Sequence, residues 1–159
     1  MQTRTSYNPV QIALHWAIAG LIALNYIISD GMPEIFDASL DGKPVSGFTP
    51  AFHVYAGMAV MVLALVRLGV RLVSGAPEAH GQGLMDLVAR WTHRALYALM
   101  IAVPALGTLA WFGGIDAAGG LHVLLMNAMM ILALLHAVAA MFHHYVLRDG
   151  LLWRMTRVS

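Results

Sequence analysis

The chain has 159 residues, 60% of them hydrophobic and 11% charged, with a formal net charge of +1. A soluble domain runs at about 45–50% apolar and about 25% charged, so the composition excludes a water-soluble globule and, for a chain with room only for one membrane domain, nucleic-acid binding. Cysteine is absent, which removes disulfides, thiolate metal centres, iron–sulfur clusters and a cysteine nucleophile, and leaves the redox compartment undefined.

Four stretches carry no Asp, Glu, Lys or Arg: Thr5 to Ser29, Pro44 to Val66, Ala95 to Ile115 and Ala117 to Leu147. Each suffices for a bilayer-spanning helix, which needs roughly 20 apolar residues. The first begins behind Arg4. Its apolar run is too long for a signal peptide and no small-residue cleavage site follows it, so a retained helix is expected. The loop from Asp30 to Thr49 is rich in Gly, Pro, Asp and Ser and reads as an irregular exposed connection. The loop from Ser74 to Leu84 holds Ala76-Pro77 and three Gly, a break between helices. The third stretch contains Pro104, and a short Gly-rich turn around Asp116 leads into the fourth. Four spans occupy nearly the whole chain. One membrane domain over residues 1–159 is expected, an all-α four-helix transmembrane bundle without internal repeats.

The charges orient it. All eight Arg fall on one side of a four-span arrangement: Arg4, then Arg67, Arg71, Arg90 and Arg94, then Arg148, Arg154 and Arg157. Basic residues accumulate in cytoplasmic loops, so both termini are expected in the cytoplasm. The opposite face receives Asp30, Glu34, Asp37, Asp41 and Asp116 against Lys43 alone.

Eight histidines demand an explanation. His80 lies in the Gly-rich loop. His143 and His144 sit at the cytoplasmic end of the fourth helix beside Arg148, where headgroup or water contacts account for them. His15, His53, His93, His122 and His136 lie deeper, and an ionisable residue within a span is costly unless it has a partner. His122 and His136 are fourteen residues apart, nearly four turns and a rise of about 21 Å, so they share a face at two depths. Following the alternating spans, His53 pairs with His122 at the outer level and His15 with His136 at the inner. Two stacked imidazole pairs match two haem groups with two axial ligands each, a use bundle cores allow. Such iron has no open position, so electron transfer is its natural task. Small residues at Ala17, Ala19, Gly20, Ala56, Gly57, Ala59, Ala137, Ala139 and Ala140 would make room for a flat macrocycle, although they also permit close helix packing without one. A lone His in a span is more often a packing residue; the combination favours ligands. No carboxylate lies within the four stretches, which makes an ion-coupled transporter the poorer alternative.

His93 stands at a depth similar to that of His15, and spacing alone leaves it open as an axial ligand, a partner of a haem propionate or part of a quinone pocket. Arg67, Arg71, Arg90 and Arg94 share that level and suit either carboxylate pairing or lipid phosphate. The eleven Met include possible axial ligands, but scattered Met in apolar helices usually fills gaps.

Ile12-Ala-Leu-His15-Trp16, Phe52-His53-Val with Arg67 and Arg71, Thr92-His93-Arg-Ala-Leu-Tyr97 with Pro104, and Leu135-His136 through His143-His144-Tyr-Val-Leu-Arg148-Asp149-Gly150 together resemble the prokaryotic cytochrome b561 family over nearly the whole chain. The most specific piece is the His-His and Arg-Asp-Gly-Leu-Leu-Trp-Arg-Met ending, with the fourteen-residue His spacing. The resemblance implies an inner-membrane four-helix protein with two b-type haems on His15, His53, His122 and His136. It also implies exchange of electrons between a quinone and a small or protein donor or acceptor; one branch oxidises superoxide at the outer face and passes the electron to ubiquinone. Three readings follow: a stand-alone diheme quinone oxidoreductase, the haem-bearing membrane anchor of a larger dehydrogenase or hydrogenase-type complex, and a haem-free bundle.

Overall fold

The computed structural model describes residues 7–75 and 83–156, with the backbone alone at residue 154. The described residues form helices α1 (Pro9–Ile28), α2 (Met32–Leu40), α3 (Phe48–Ser74), α4 (Leu84–Gly113) and α5 (Asp116–Tyr145), then a 3₁₀ helix (Leu151–Met155), and no strand. Helices α1, α3, α4 and α5 are each long and apolar enough to cross a membrane. This is the expected four-span, all-helical architecture. The break between α3 and α4 falls at Ser74 and Leu84, as the Gly and Pro positions indicate; Arg4, His80 and Arg157 lie outside the described residues.

Local chemistry starts and stops the helices. At α1, Asn8 Oδ1 accepts from the Gln11 amide at 2.8 Å and Gln11 Oε1 accepts from the Asn8 amide at 3.3 Å, with Pro9 in the first turn. This reciprocal cap satisfies two donors that would otherwise be orphaned. Gln11 Nε2 also donates to the Gly75 carbonyl at 2.9 Å, tying the start of α1 to the end of α3.

The loop expected to be irregular contains α2, which corrects the reading of Asp30 to Thr49. Gly31 takes φ 78°, a left-handed value, and Pro33 and Glu34 open the helix; proline and an acid both suit a first turn. Composition read these residues as loop signals, whereas they are helix-start signals. A tertiary contact completes the helix: a Cβ at Gly119 would lie 2.8 Å from Phe36 Cε1, so α2 rests on the start of α5 through that glycine.

Consecutive spans pack on one another, α1 on α3, α3 on α4 and α4 on α5, while α1 and α5 make no comparably extensive contact. The interior seam is narrow, with Ile18, Ala56, Val60, Ala64, Val103, Ala110, Ala118 and Met129 buried. Ile27, Leu72, Val73, Leu124, Ile131 and Leu134 stand exposed on the outside of the bundle, as expected where the solvent is lipid and backbone groups are satisfied within each helix. Met129 lies within this seam at 6% exposure.

A clasp closes the end of the bundle where α1 begins and α5 finishes. Arg148 adopts φ 56° and Gly150 φ 72°, turning the chain back after α5. Asp149 accepts from the Leu151 amide at 3.0 Å through Oδ1 and meets His143 Nδ1 at 2.6 Å through Oδ2. Trp16 Nε1 of α1 donates to the Met155 carbonyl at 2.8 Å. His143 thus pairs with Asp149, and His144 packs edge-on against Trp153, contacts that the reading of headgroup or water partners did not include. The Arg-Asp-Gly signature is the hinge of this clasp.

Two layers of inward-facing residues

Each span contributes one residue to each of two layers, and in every span the two are fourteen residues apart: His15 and Ser29 along α1, His53 and Arg67 on α3, His93 and Gly107 on α4, His122 and His136 on α5. Fourteen residues are two heptads, the repeat that keeps one face inward in left-handed bundles. The chain direction alternates, so Ser29, His53, Gly107 and His122 meet near the acidic end, and His15, Arg67, His93 and His136 near the arginine-rich end.

In the first layer the rings of His53 and His122 are 5.8 Å apart, centroid to centroid, and nearly perpendicular at 81°, as the sequence-based pairing expects. Both tautomers follow from the partners. Ser29 Oγ donates its only hydrogen to the Asn25 carbonyl, so it accepts from His53 Nδ1 at 2.5 Å. His122 Nδ1 lies 2.8 Å from the Val103 carbonyl, which can only accept. Each ring therefore carries its proton on Nδ1 and leaves an Nε2 lone pair, the state a metal ligand requires. His122 approaches α4 this closely because position 107 is glycine: a Cβ there would stand 2.9 Å from His122 Nδ1.

In the second layer the ring that meets His136 is His93, at 5.2 Å and 73°. His15 stacks edge-on with Trp16 at 5.2 Å and shares its electrostatic surroundings with Arg67, His136 and His93. The structure thus gathers His15 and His136 in one layer and adds His93 to it. Arg67 is 9% exposed, and its Nε donates to Tyr97 Oη at 2.9 Å. The four arginines of this level separate: Arg90 pairs with Asp86 at 2.6 Å and Arg94 covers Trp91 at 5.1 Å, both on the outside of α4, whereas Arg67 and Arg71 line a narrow cleft with Tyr7, Gln11 and Tyr97.

The residues present fit haem. Two imidazoles bound at about 2 Å to opposite faces of one metal ion would have centroids roughly 6 Å apart, close to the 5.8 Å of His53 and His122. The donor set is neutral nitrogen, which suits porphyrin iron, and Arg67 is a buried cation suited to a carboxylate. Of the small residues expected to make room, Ala56 is buried, while Ala17, Ala19, Ala137 and Ala139 are exposed and a Cβ at Gly20 would meet nothing within 4 Å. Gly107, Ser29 and the burial of Arg67 escaped the sequence reading, although the fourteen-residue offset from each histidine marks all three positions.

The sequence model of the family described as prokaryotic cytochrome b561 matches residues 6–157. Among curated proteins, the chain is 49% identical to cytochrome b562 of Cereibacter sphaeroides over 157 residues, covering 99% of both chains. It is 29% identical to the probable superoxide oxidase CybB of Yersinia pestis, covering 94% of both. Against cytochrome b561 homolog 2 of Escherichia coli it is 25% identical, over 96% of this chain and 92% of the relative.

Proposed function

The chain belongs to the prokaryotic cytochrome b561 family, multi-pass electron-transfer cytochromes of the bacterial inner membrane, and from that premise we propose that it carries two b-type haems and relays electrons between the quinone pool and a periplasmic donor or acceptor. The observation that carries this reading is the two-layer set of imidazoles, fourteen residues apart on α5, with both Nδ1 atoms of one layer facing oxygen acceptors. His53 and His122 hold the haem of the acidic-end layer, and His15 and His136 that of the arginine-rich layer. A bound haem supplies a one-electron carrier whose potential is tuned by ligands, hydrogen bonds and burial. With two imidazoles for each haem, these residues would serve electron transfer and not oxygen binding. Ser29 and the Val103 carbonyl orient the acidic-end rings and make them stronger donors; Gly107 lets the His122 ring lie flush against α4.

The arginine-rich end faces the cytoplasm, by the distribution of basic residues, and the acidic end the periplasm. Ubiquinone is the quinone. The similarity to a probable superoxide oxidase supports superoxide as the donor, but a periplasmic face bearing Asp30, Glu34, Asp37, Asp41 and Asp116 repels small anions, which favours a different donor or acceptor.

Rapid mixing tests the reading. The purified protein, reduced by dithionite and freed of excess, should lose its reduced b-type bands on addition of a short-chain ubiquinone. Bands that persist, or that never form, overturn it. A superoxide flux that reduces the haems no faster than buffer controls is the expected result for this acidic face; rapid, dismutase-sensitive reduction would restore superoxide as donor.

A further inference from the structure

We propose that Arg67, aided by Arg71, is a carboxylate receptor inside the bundle, its guanidinium taking a propionate of the haem held by His15 and His136. The assignment rests on the two-haem reading and adds how the arginine-rich layer recognises the edge of its macrocycle.

A guanidinium in a span is costly without a counter-charge, and Arg67 is 9% exposed. Among the described residues no carboxylate pairs with it. Asp86 is engaged with Arg90, Asp149 with His143 and Asp41 with Lys43, and Asp30, Glu34, Asp37 and Asp116 belong to the other end of the bundle. The anion is therefore supplied from outside this set. Position indicates its source. Arg67 follows His53 by fourteen residues, which turns it into the layer of His15, His93 and His136. It faces the interior, where a porphyrin edge would lie, and not the lipid headgroups that Arg90 and Arg94 flank.

The geometry suits a carboxylate. Donation from Nε to Tyr97 Oη at 2.9 Å orients the guanidinium and leaves both Nη groups as the fork that binds carboxylate bidentately. Arg71 is half-buried beside it in the cleft. Gln11, 4% exposed, lines the same cleft and spends one of its two Nε2 hydrogens on the Gly75 carbonyl.

The test is a redox titration combined with resonance Raman spectroscopy on the purified holoprotein and its Arg67→Gln variant. Removing a positive charge beside one haem favours its ferric state, so one midpoint should fall and the other stay, with a shift in a propionate bending band. Arg67→Lys should restore most of the midpoint but not the band, because an ammonium lacks the fork. If both midpoints and the Raman bands of Arg67→Gln match the wild type, the proposal is overturned. It is equally overturned if the variant loses bound phosphorus at constant haem spectra, which would identify a lipid phosphate as the anion, or if Glu78→Gln, at the one Asp or Glu outside the described residues, reproduces the Arg67→Gln changes. Should Arg67→Gln fail to accumulate, Tyr97→Phe keeps the charge and loses the anchor; it should shift the same propionate band, and an unshifted band overturns the assignment. A wild-type protein with only one midpoint, or none, would instead sink the two-haem reading and this inference with it.

Discussion

Ser29 illustrates how one hydroxyl decides the state of a neighbouring ring. Its hydrogen is committed to the Asn25 carbonyl, so the oxygen accepts from His53 Nδ1. Such acceptance increases the electron density a ligating imidazole offers and stabilises ferric iron. Ser29→Ala removes the acceptor, and the midpoint of the acidic-end haem should rise. A net hydrogen bond is worth about 1 kcal/mol, which for one electron is roughly 40 mV. A redox titration checks this; an unchanged midpoint would mean that Ser29 only caps α1. The imidazoles were legible in the sequence because an ionisable group in an apolar run has no cheap explanation. Ser29 and Gly107 were not, since Ser and Gly occur in membrane helices for many reasons. His93 was legible as a resident of the arginine-rich level, but its ring contact with His136 depends on how α4 rotates against α5, which spacing along one helix does not specify.

At the scale of elements, the spans were readable from charge-free length and the loops from Gly and Pro, because bilayer thickness and backbone satisfaction leave few alternatives. Helix α2 was missed for the complementary reason. Nine residues lie outside the bilayer argument, and the helix is held by Phe36 over Gly119, a contact between segments distant in sequence. The clasp after α5 was visible as a motif but not as a structure, since its closure on Trp16 joins the two ends of the chain. Glycines at helix contacts carry the most testable consequence. A Cβ at position 107 would stand 2.9 Å from the His122 ring, and overpacking of this kind costs about 1–3 kcal/mol. Gly107→Val should therefore displace His122, with loss of the acidic-end haem and retention of the other. Reduced-minus-oxidised spectra with haem quantification would show it, and a variant that keeps both centres unaltered would contradict the close approach.

Across the whole molecule, the near-neutral net charge hides two unlike ends, one basic and one acidic, joined by helices whose inner faces repeat every fourteen residues. That repeat places an equivalent set of residues at two depths about 21 Å apart. The same backbone frame thus holds two layers of different character, one with uncharged hydrogen-bond partners around its rings and one with a buried guanidinium. The central claim is that four imidazoles form two independent haem sites, and haem-to-protein stoichiometry across single alanine variants tests it most directly. The wild type should bind two haems per chain and His93→Ala should keep both. His53→Ala and His122→Ala should each retain one haem with the same remaining midpoint, and His15→Ala and His136→Ala should each retain the other. A wild-type chain with fewer than two haems, or variants that lose both centres equally, would contradict the account.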